Sequence, residues 1–181
     1  MRNLTIAAAM LLTVATTASA QTKGADAKAL QNYRTAERIA QQNLRTFYTL
    51  DYDVFSNQKW DRLKESHAAD IVVYWPDGHV ERGVDKHIES LKYMFTYAPD
   101  TRIKQHPVKL GQGEWTTVIG VMEGTFTKPM TTADGKVIQP TGKTFKLPMA
   151  TVGHWKKDGT MSEEYLFWDN QSYMTQLGIT G

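Results

Sequence analysis

Between Tyr33 and Phe55, Ala36, Ala40, Asn43, Phe47, Leu50 and Val54 recur at three- and four-residue steps. That period predicts a helix with one buried stripe. A shorter helix is predicted over Asn57–Ala68, with Trp60, Leu63 and His67 on one side. The β-rich run Asp70–Trp75 stops at Pro76-Asp77-Gly78, a turn by composition. After Gly83, Asp85 can cap a third helix reaching Tyr97, with Ile88, Leu91 and Phe95 inward.

Beyond Pro99-Asp100 the period changes to that of strands: Arg102–Leu110, Glu114–Phe126, Phe145–Lys156 and Thr160–Trp168. Thr127–Gly142, with Pro129, Asp134-Gly135 and Pro140, reads as a long connection or irregular hairpin. Gly120, Gly124 and Gly153 fall inside strands and suggest bulges that curve the sheet. Helices followed by a run of antiparallel strands give an α+β fold with the helices on one sheet face. A strongly bent sheet closed by helices makes a cone with an internal pocket.

The last two strands flank Lys157-Asp158-Gly159, and the second ends in an acid, Asp169, before a short helical segment to Gly178. Two registers are open. A two-residue turn puts His154 opposite Glu163 and on one face with Tyr165, Phe167 and Asp169. A three-residue loop with left-handed Gly159 exchanges the faces. The second segregates apolar from polar residues better and is the expected one. It sets Asp169, Phe167 and Tyr165 beside Trp155, Gly153, Thr151, Met149 and Leu147. It also leaves Leu166, Trp168, Val152 and Ala150 as an apolar strip that a homodimer would cover.

A charged group ending an aromatic strand is costly if buried unpaired. In an apolar pocket Asp169 would hold or accept a proton near neutrality. Alternatively it caps the helix that follows. Both readings satisfy the carboxylate, and both stay open on the residues alone. The pocket reading makes Tyr74, Trp155, Tyr165 and Phe167 the lining residues.

Composition narrows the rest. The first 20 residues combine Arg2, an apolar run from Leu4 to Thr17 and the small-x-small site Ala18-Ser19-Ala20, which predicts a signal peptide and a periplasmic or secreted protein. Residues 21–32 are polar and small, a flexible leader; residues 33–181 form one domain. No later run is apolar enough to span a membrane. Without cysteine there is no disulfide and no thiol chemistry. Removing Arg2 with the leader leaves 20 basic against 19 acidic residues, and no basic stripe points to nucleic acid.

The five histidines (67, 79, 87, 106 and 154) lack metal-type pairing and read as solvated or core-edge imidazoles. Glu163-Glu164 reads as a solvated strand end. There is no Gly-x-Ser-x-Gly elbow, and Gly111-Gln112-Gly113 is a turn rather than a phosphate loop.

Pro99-Asp100, Pro140-Thr141-Gly142, Asp158-Gly159, Asp169 and Gln176-Leu177-Gly178 follow one another at spacings that resemble the SnoaL-like polyketide (ester) cyclase family. This family lies in the cone-shaped superfamily of nuclear transport factor two and ketosteroid isomerase. The resemblance covers Leu44–Gly178. It implies Asp169 as general acid/base for an intramolecular aldol closure, with no metal or cofactor. Gly153 and Trp155 stand where such cyclases place a glutamine and a histidine, and Tyr74 where they place a histidine or asparagine. The expectation is therefore cofactor-free proton transfer on a small, mostly apolar carbonyl substrate. The alternative is a non-catalytic periplasmic module that binds an apolar small molecule.

Overall fold

The computed structural model describes the backbone of residues 4–179 and the side chains from Gly24 to Ile179. The expected signal peptide, Met1–Ala20, lies outside the residues whose side chains are described. Helix α1 spans Leu4–Thr49. The residues expected as a flexible leader belong to it, and residues 24–35 are all exposed. Ala25, Ala27 and Ala29 supply good helix propensity there in place of packing.

The buried stripe appears as expected: Ala40, Asn43, Phe47, Leu50 and Val54 all lie in the interior. At Leu50 the helix widens into a π-helical turn, Leu50–Phe55. The Ser56 amide donates to the Asp51 carbonyl at 3.2 Å and the Lys59 amide to the Val54 carbonyl at 2.8 Å. A 3-10 helix, Trp60–Glu65, follows in place of the longer helix expected.

Strands β1 (His67–Tyr74) and β2 (Val80–Arg82) come next, then α2 (Val84–Tyr97), β3 (Arg102–Gln112) and β4 (Trp115–Thr125). Two short strands, β5 (Met130–Thr131) and β6 (Val137–Ile138), form the irregular hairpin of the long connection. β7 (Thr144–Trp155), β8 (Met161–Phe167) and α3 (Asn170–Leu177) complete the chain. The six-stranded sheet runs β2-β1-β8-β7-β4-β3. It is mixed, because β1 pairs with β8 in parallel. The early β1 therefore sits beside the last strand and brings the helix-rich half of the chain to the C-terminal hairpin.

The hairpin register corrects the sequence expectation in an instructive way. The loop itself is as expected: Gly159 has φ +86° and Lys156 bonds to Thr160 across Lys157-Asp158-Gly159. Trp155 then faces Met161, but His154 faces Glu163, so Ser162 is an extra, bulged residue. A bulge of one residue exchanges the faces of everything beyond it. Glu164, Leu166 and Trp168 consequently turn inward with Thr151, Gly153 and Trp155. Tyr165, Phe167 and Asp169 turn outward with Ala150, Val152 and His154. The apolar strip expected from Leu166 and Trp168 is corrected with it.

The strand glycines are not bulges either, since β4 and β7 pair without a register shift. They are points of close approach. A Cβ at Gly124 would meet the Phe145 ring at 2.8 Å, and one at Gly153 would meet Met161 Sδ at 2.7 Å. The irregular pairings lie instead in β1, β3 and β8.

Two apolar clusters fill the cone. One gathers Phe55, Phe95, Ile103, Met122, Phe126 and Phe145 with the buried Tyr173 and Leu177 of α3. The other gathers Phe47, Leu50, Val54, Leu63, Ile71, Val73 and Trp155. Between them a cavity remains.

Candidate functional site

The cavity has a volume of about 50 Å³ and is walled by Leu50, Phe55, Leu91, Met94, Ile103, Met122, Met149, Leu166, Trp75 and Trp168. Asp51, His67, His87, Ser90, Thr151 and Glu164 are the polar residues on its wall. Burying that many polar side chains costs free energy unless each finds a partner, so their pairing is the informative feature.

Asp51 comes from the π-helical turn. Its position four residues after Phe47 puts it on the buried face of α1, and the extra backbone residue of a π turn re-aims side chains locally. Asp51 Oδ2 lies 2.7 Å from Nε2 of His106 on β3, whose side chain is also buried. Burial raises the Asp51 pKa above its ordinary value, and the bond and charge of His106 offset only part of that rise.

The second polar group joins three elements. His67 opens β1, His87 lies one turn into α2, and Glu164 reaches the interior through the Ser162 bulge. Glu164 Oε2 is 3.5 Å from His67 Nε2 and 3.3 Å from His87 Nε2. The two rings stack with centroids 5.3 Å apart. His67 Nδ1 approaches the Leu63 carbonyl at 3.2 Å and Ser66 Oγ at 2.9 Å. His87 Nδ1 faces Glu81 Oε2 at 3.3 Å, and Glu81 in turn accepts from Ser90 Oγ and faces His79 Nε2 at 3.4 Å. Burial alone would lower the His87 pKa, but the Glu164 and Glu81 carboxylates outweigh it and raise the pKa to about 9. Burial likewise works to raise Glu164, and the facing imidazoles hold it well below the usual carboxylate range.

The five residues expected at the site do not gather around this cavity. Asp169 is exposed and is the N-cap of α3, its Oδ1 accepting from the Ser172 amide at 3.0 Å. Tyr74 and Tyr165 stack on each other with ring centroids 4.4 Å apart. Phe167 is 53% exposed. Trp155 is buried, with its indole N–H donated to Thr116 Oγ1 at 2.8 Å. For Tyr165, Phe167 and Asp169 the physical reason is the bulge, which turns their face to the outside.

The histidine and glutamate expectations also change. His67, His87 and Glu164 are buried together, not solvated. Signals for some of these groups were present in the chain. Asp51 continues the stripe of Asn43 and Phe47, and His87 precedes Leu91 by one helical turn. A charged or titratable residue on an apolar stripe is the cue. Glu164 had no such cue, because its direction depends on one unpaired serine.

A family model described as SnoaL-like polyketide cyclase matches residues 43–177. Among solved structures, a SnoaL-like protein from Jannaschia sp. CCS1 superposes with a TM-score of 0.68 at 18% identity, over 79% of this chain and 96% of that one. The candidate polyketide cyclase IdmH from Streptomyces antibioticus gives 0.63 at 20% identity, over 76% and 99%. A protein of ketosteroid isomerase-like fold from Catenulispora acidiphila, solved with trimethylamine, gives 0.59 at 14% identity, over 75% and 93%. No curated protein matches the sequence. Identities this low speak for the shared α+β cone. Among the described residues, no helix is long and apolar enough to cross a membrane.

Proposed function

The chain belongs to the SnoaL-like polyketide cyclase family, and from that premise we propose that its pocket transfers a proton on a small, mostly apolar carbonyl compound, with Asp51 as the acid/base. Membership and fold support a cyclase- or isomerase-type function of the cofactor-free kind. The observation that carries the assignment to Asp51 is a buried carboxylate on the wall of an otherwise largely apolar cavity, held at 2.7 Å by His106.

A general base works best when its pKa lies near the working pH, and burial moves Asp51 in that direction. Asp51 removes a proton from the carbon beside the carbonyl, and the C–H electron pair becomes an enolate. The enolate takes a proton back at another carbon, giving an isomer, or attacks a second carbonyl, closing a ring. Asp51 then returns its proton to carbon or to the new alkoxide. His106 is a positioning residue that holds the carboxylate. Met94 and Met149, unbranched and adaptable, let the narrow cavity open around a ligand.

Export to the periplasm is part of the proposal, supported by Arg2, the apolar run and Ala18-Ser19-Ala20. So is a homodimer through the outer sheet face, supported by the exposed Phe167 and Trp115 there.

Deuterium uptake tests the activity. A panel of small cyclic enones and β-dicarbonyl compounds is incubated with the protein in D2O and followed by NMR. The wild type should accelerate exchange at the carbon beside the carbonyl, and Asp51→Asn should lose about 10²- to 10⁴-fold of it. Ligand-induced shifts without exchange in the wild type would favour the non-catalytic binding module. Undiminished exchange in Asp51→Asn would remove the acid/base role from this residue.

A further inference from the structure

We propose that His67, His87 and Glu164 form a binding site for a divalent cation of the zinc class at the cavity wall. The three side chains offer two imidazole nitrogens and one carboxylate oxygen, all within 4.8 Å of one another. Two histidines and one glutamate are a donor set that zinc takes in sites with an open fourth position. The site stands on its own ligands, independently of the role given to Asp51.

The spacing of the three donors admits a cation between them. Glu164 Oε2 lies 3.3 Å from His87 Nε2 and 3.5 Å from His67 Nε2. A tetrahedron built on bonds of about 2.0–2.1 Å has an edge of about 3.3 Å, close to the two spacings from Glu164 to the histidines.

Unpaired atoms point the same way. His67 Nε2 and Glu164 Oε2 are both buried and both lack a hydrogen-bond partner. Leaving two such atoms unsatisfied in the interior is costly, and a shared cation satisfies both at once.

The supporting contacts orient the ligands. With its Nδ1–H donated to the Leu63 carbonyl, His67 presents the Nε2 lone pair to Glu164. Glu81 does the same for His87 through Nδ1, an arrangement of carboxylate, histidine and metal that fixes tautomer and ring direction. Glu81 is itself held by Ser90. Two neutral imidazoles and one carboxylate leave a bound dication with one net positive charge, which Glu81 balances from behind. All three ligands line the cavity, which leaves a fourth position for a water.

The full chain, stripped with a chelator and dialysed, is titrated with Zn2+ against a chromophoric competitor, and separately with Co2+. One ion per chain is expected, with the intense visible bands of four-coordinate Co2+. Glu164→Gln and His87→Gln should each weaken Zn2+ binding by at least about 100-fold, and Glu81→Gln by about 10- to 100-fold. His154→Gln removes a surface histidine outside the cavity and should bind as the wild type does. Binding is read from the competitor and the Co2+ bands rather than from deuterium exchange, which keeps this test separate from the proton-transfer reading. Substoichiometric binding by the wild type, or the pale spectrum of six-coordinate Co2+, overturns the proposal. So does wild-type affinity in Glu164→Gln or His87→Gln proteins that fold by circular dichroism. If those two variants fail to fold, the wild-type stoichiometry and Co2+ spectrum decide.

Discussion

Replacing Asp51 by asparagine keeps the size of the side chain and an oxygen for His106, but removes an ionisation. Burial raises the folded-state pKa of Asp51 above its ordinary value of 3.8. Protonation therefore favours the folded state. Its contribution is fully present below the unfolded pKa and is lost as pH rises through the folded one. Across that window the wild type should lose about 1.4 kcal/mol per pH unit relative to Asp51→Asn, after which the difference is constant. His106 faces Asp51 directly, and Glu164 and His67 act on it through space, the first raising and the second lowering its pKa. The ionisations of those groups among themselves are common to both proteins and largely cancel, whereas their couplings to the Asp51 charge stay in the difference. The coupling to His106 is the largest of them, and a cycle with His106→Gln measures it. Urea unfolding from pH 4 to pH 8 gives the stability of each protein. The reasoning is refuted if Asp51→Asn becomes less stable relative to the wild type as pH rises. That result would mean the ionised pair with His106 outweighs burial, and Asp51 would be a poor general base.

Gly153→Ala should cost about 1–3 kcal/mol in the urea midpoint, because its Cβ would press on Met161 Sδ at 2.7 Å and Trp155 Nε1 at 3.0 Å in a filled core; a neutral result would show that Met161 can swing aside. Asp169→Ala should cost about 1 kcal/mol of thermal stability and Asp169→Asn almost nothing, as for a helix cap; lost deuterium exchange in Asp169→Asn would return the acid/base role to it. Light scattering should give a dimer mass for the wild type and a monomer for Phe167→Glu, which puts a charge on the outer face; a monomeric wild type ends the dimer proposal. Intact mass of protein recovered from the periplasm should begin at Gln21, and retention of Met1 would exclude export by cleavage.

The periodic part of the chain was legible. α2 and the four long strands lie within one or two residues of their expected limits, because hydrophobic period and turn chemistry are local quantities. The apolar stripe of α1 was legible for the same reason. β2, only three residues long, gave no period to read, and its Glu81 went unnoticed. The parallel pairing of β1 with β8 joins residues about ninety positions apart, which no local pattern encodes. His67, Glu81, His87 and Glu164 lie on four separate elements, so their meeting is a property of topology and not of spacing.

The C-terminal hairpin shows how little separates one reading of the site from another. Loop chemistry correctly selects the three-residue turn with left-handed Gly159, and a strand without irregularity would then carry Glu163, Tyr165, Phe167 and Asp169 inward. One unpaired residue, Ser162, reverses that set. Its hydroxyl donates to the His154 carbonyl at 3.2 Å, so the bulge has its own side-chain bond. The reversal exchanges one carboxylate for another at the cavity, Glu164 for Asp169, and sends two aromatic rings to the outer face. It also satisfies the apolar balance, since Leu166 and Trp168 fill the interior that Tyr165 and Phe167 vacate. Both registers are apolar enough to bury, so hydrophobic patterning alone is nearly degenerate here. What breaks the tie is polar: only the bulged register sets Glu164 against His67 and His87, and only it frees Asp169 to cap α3.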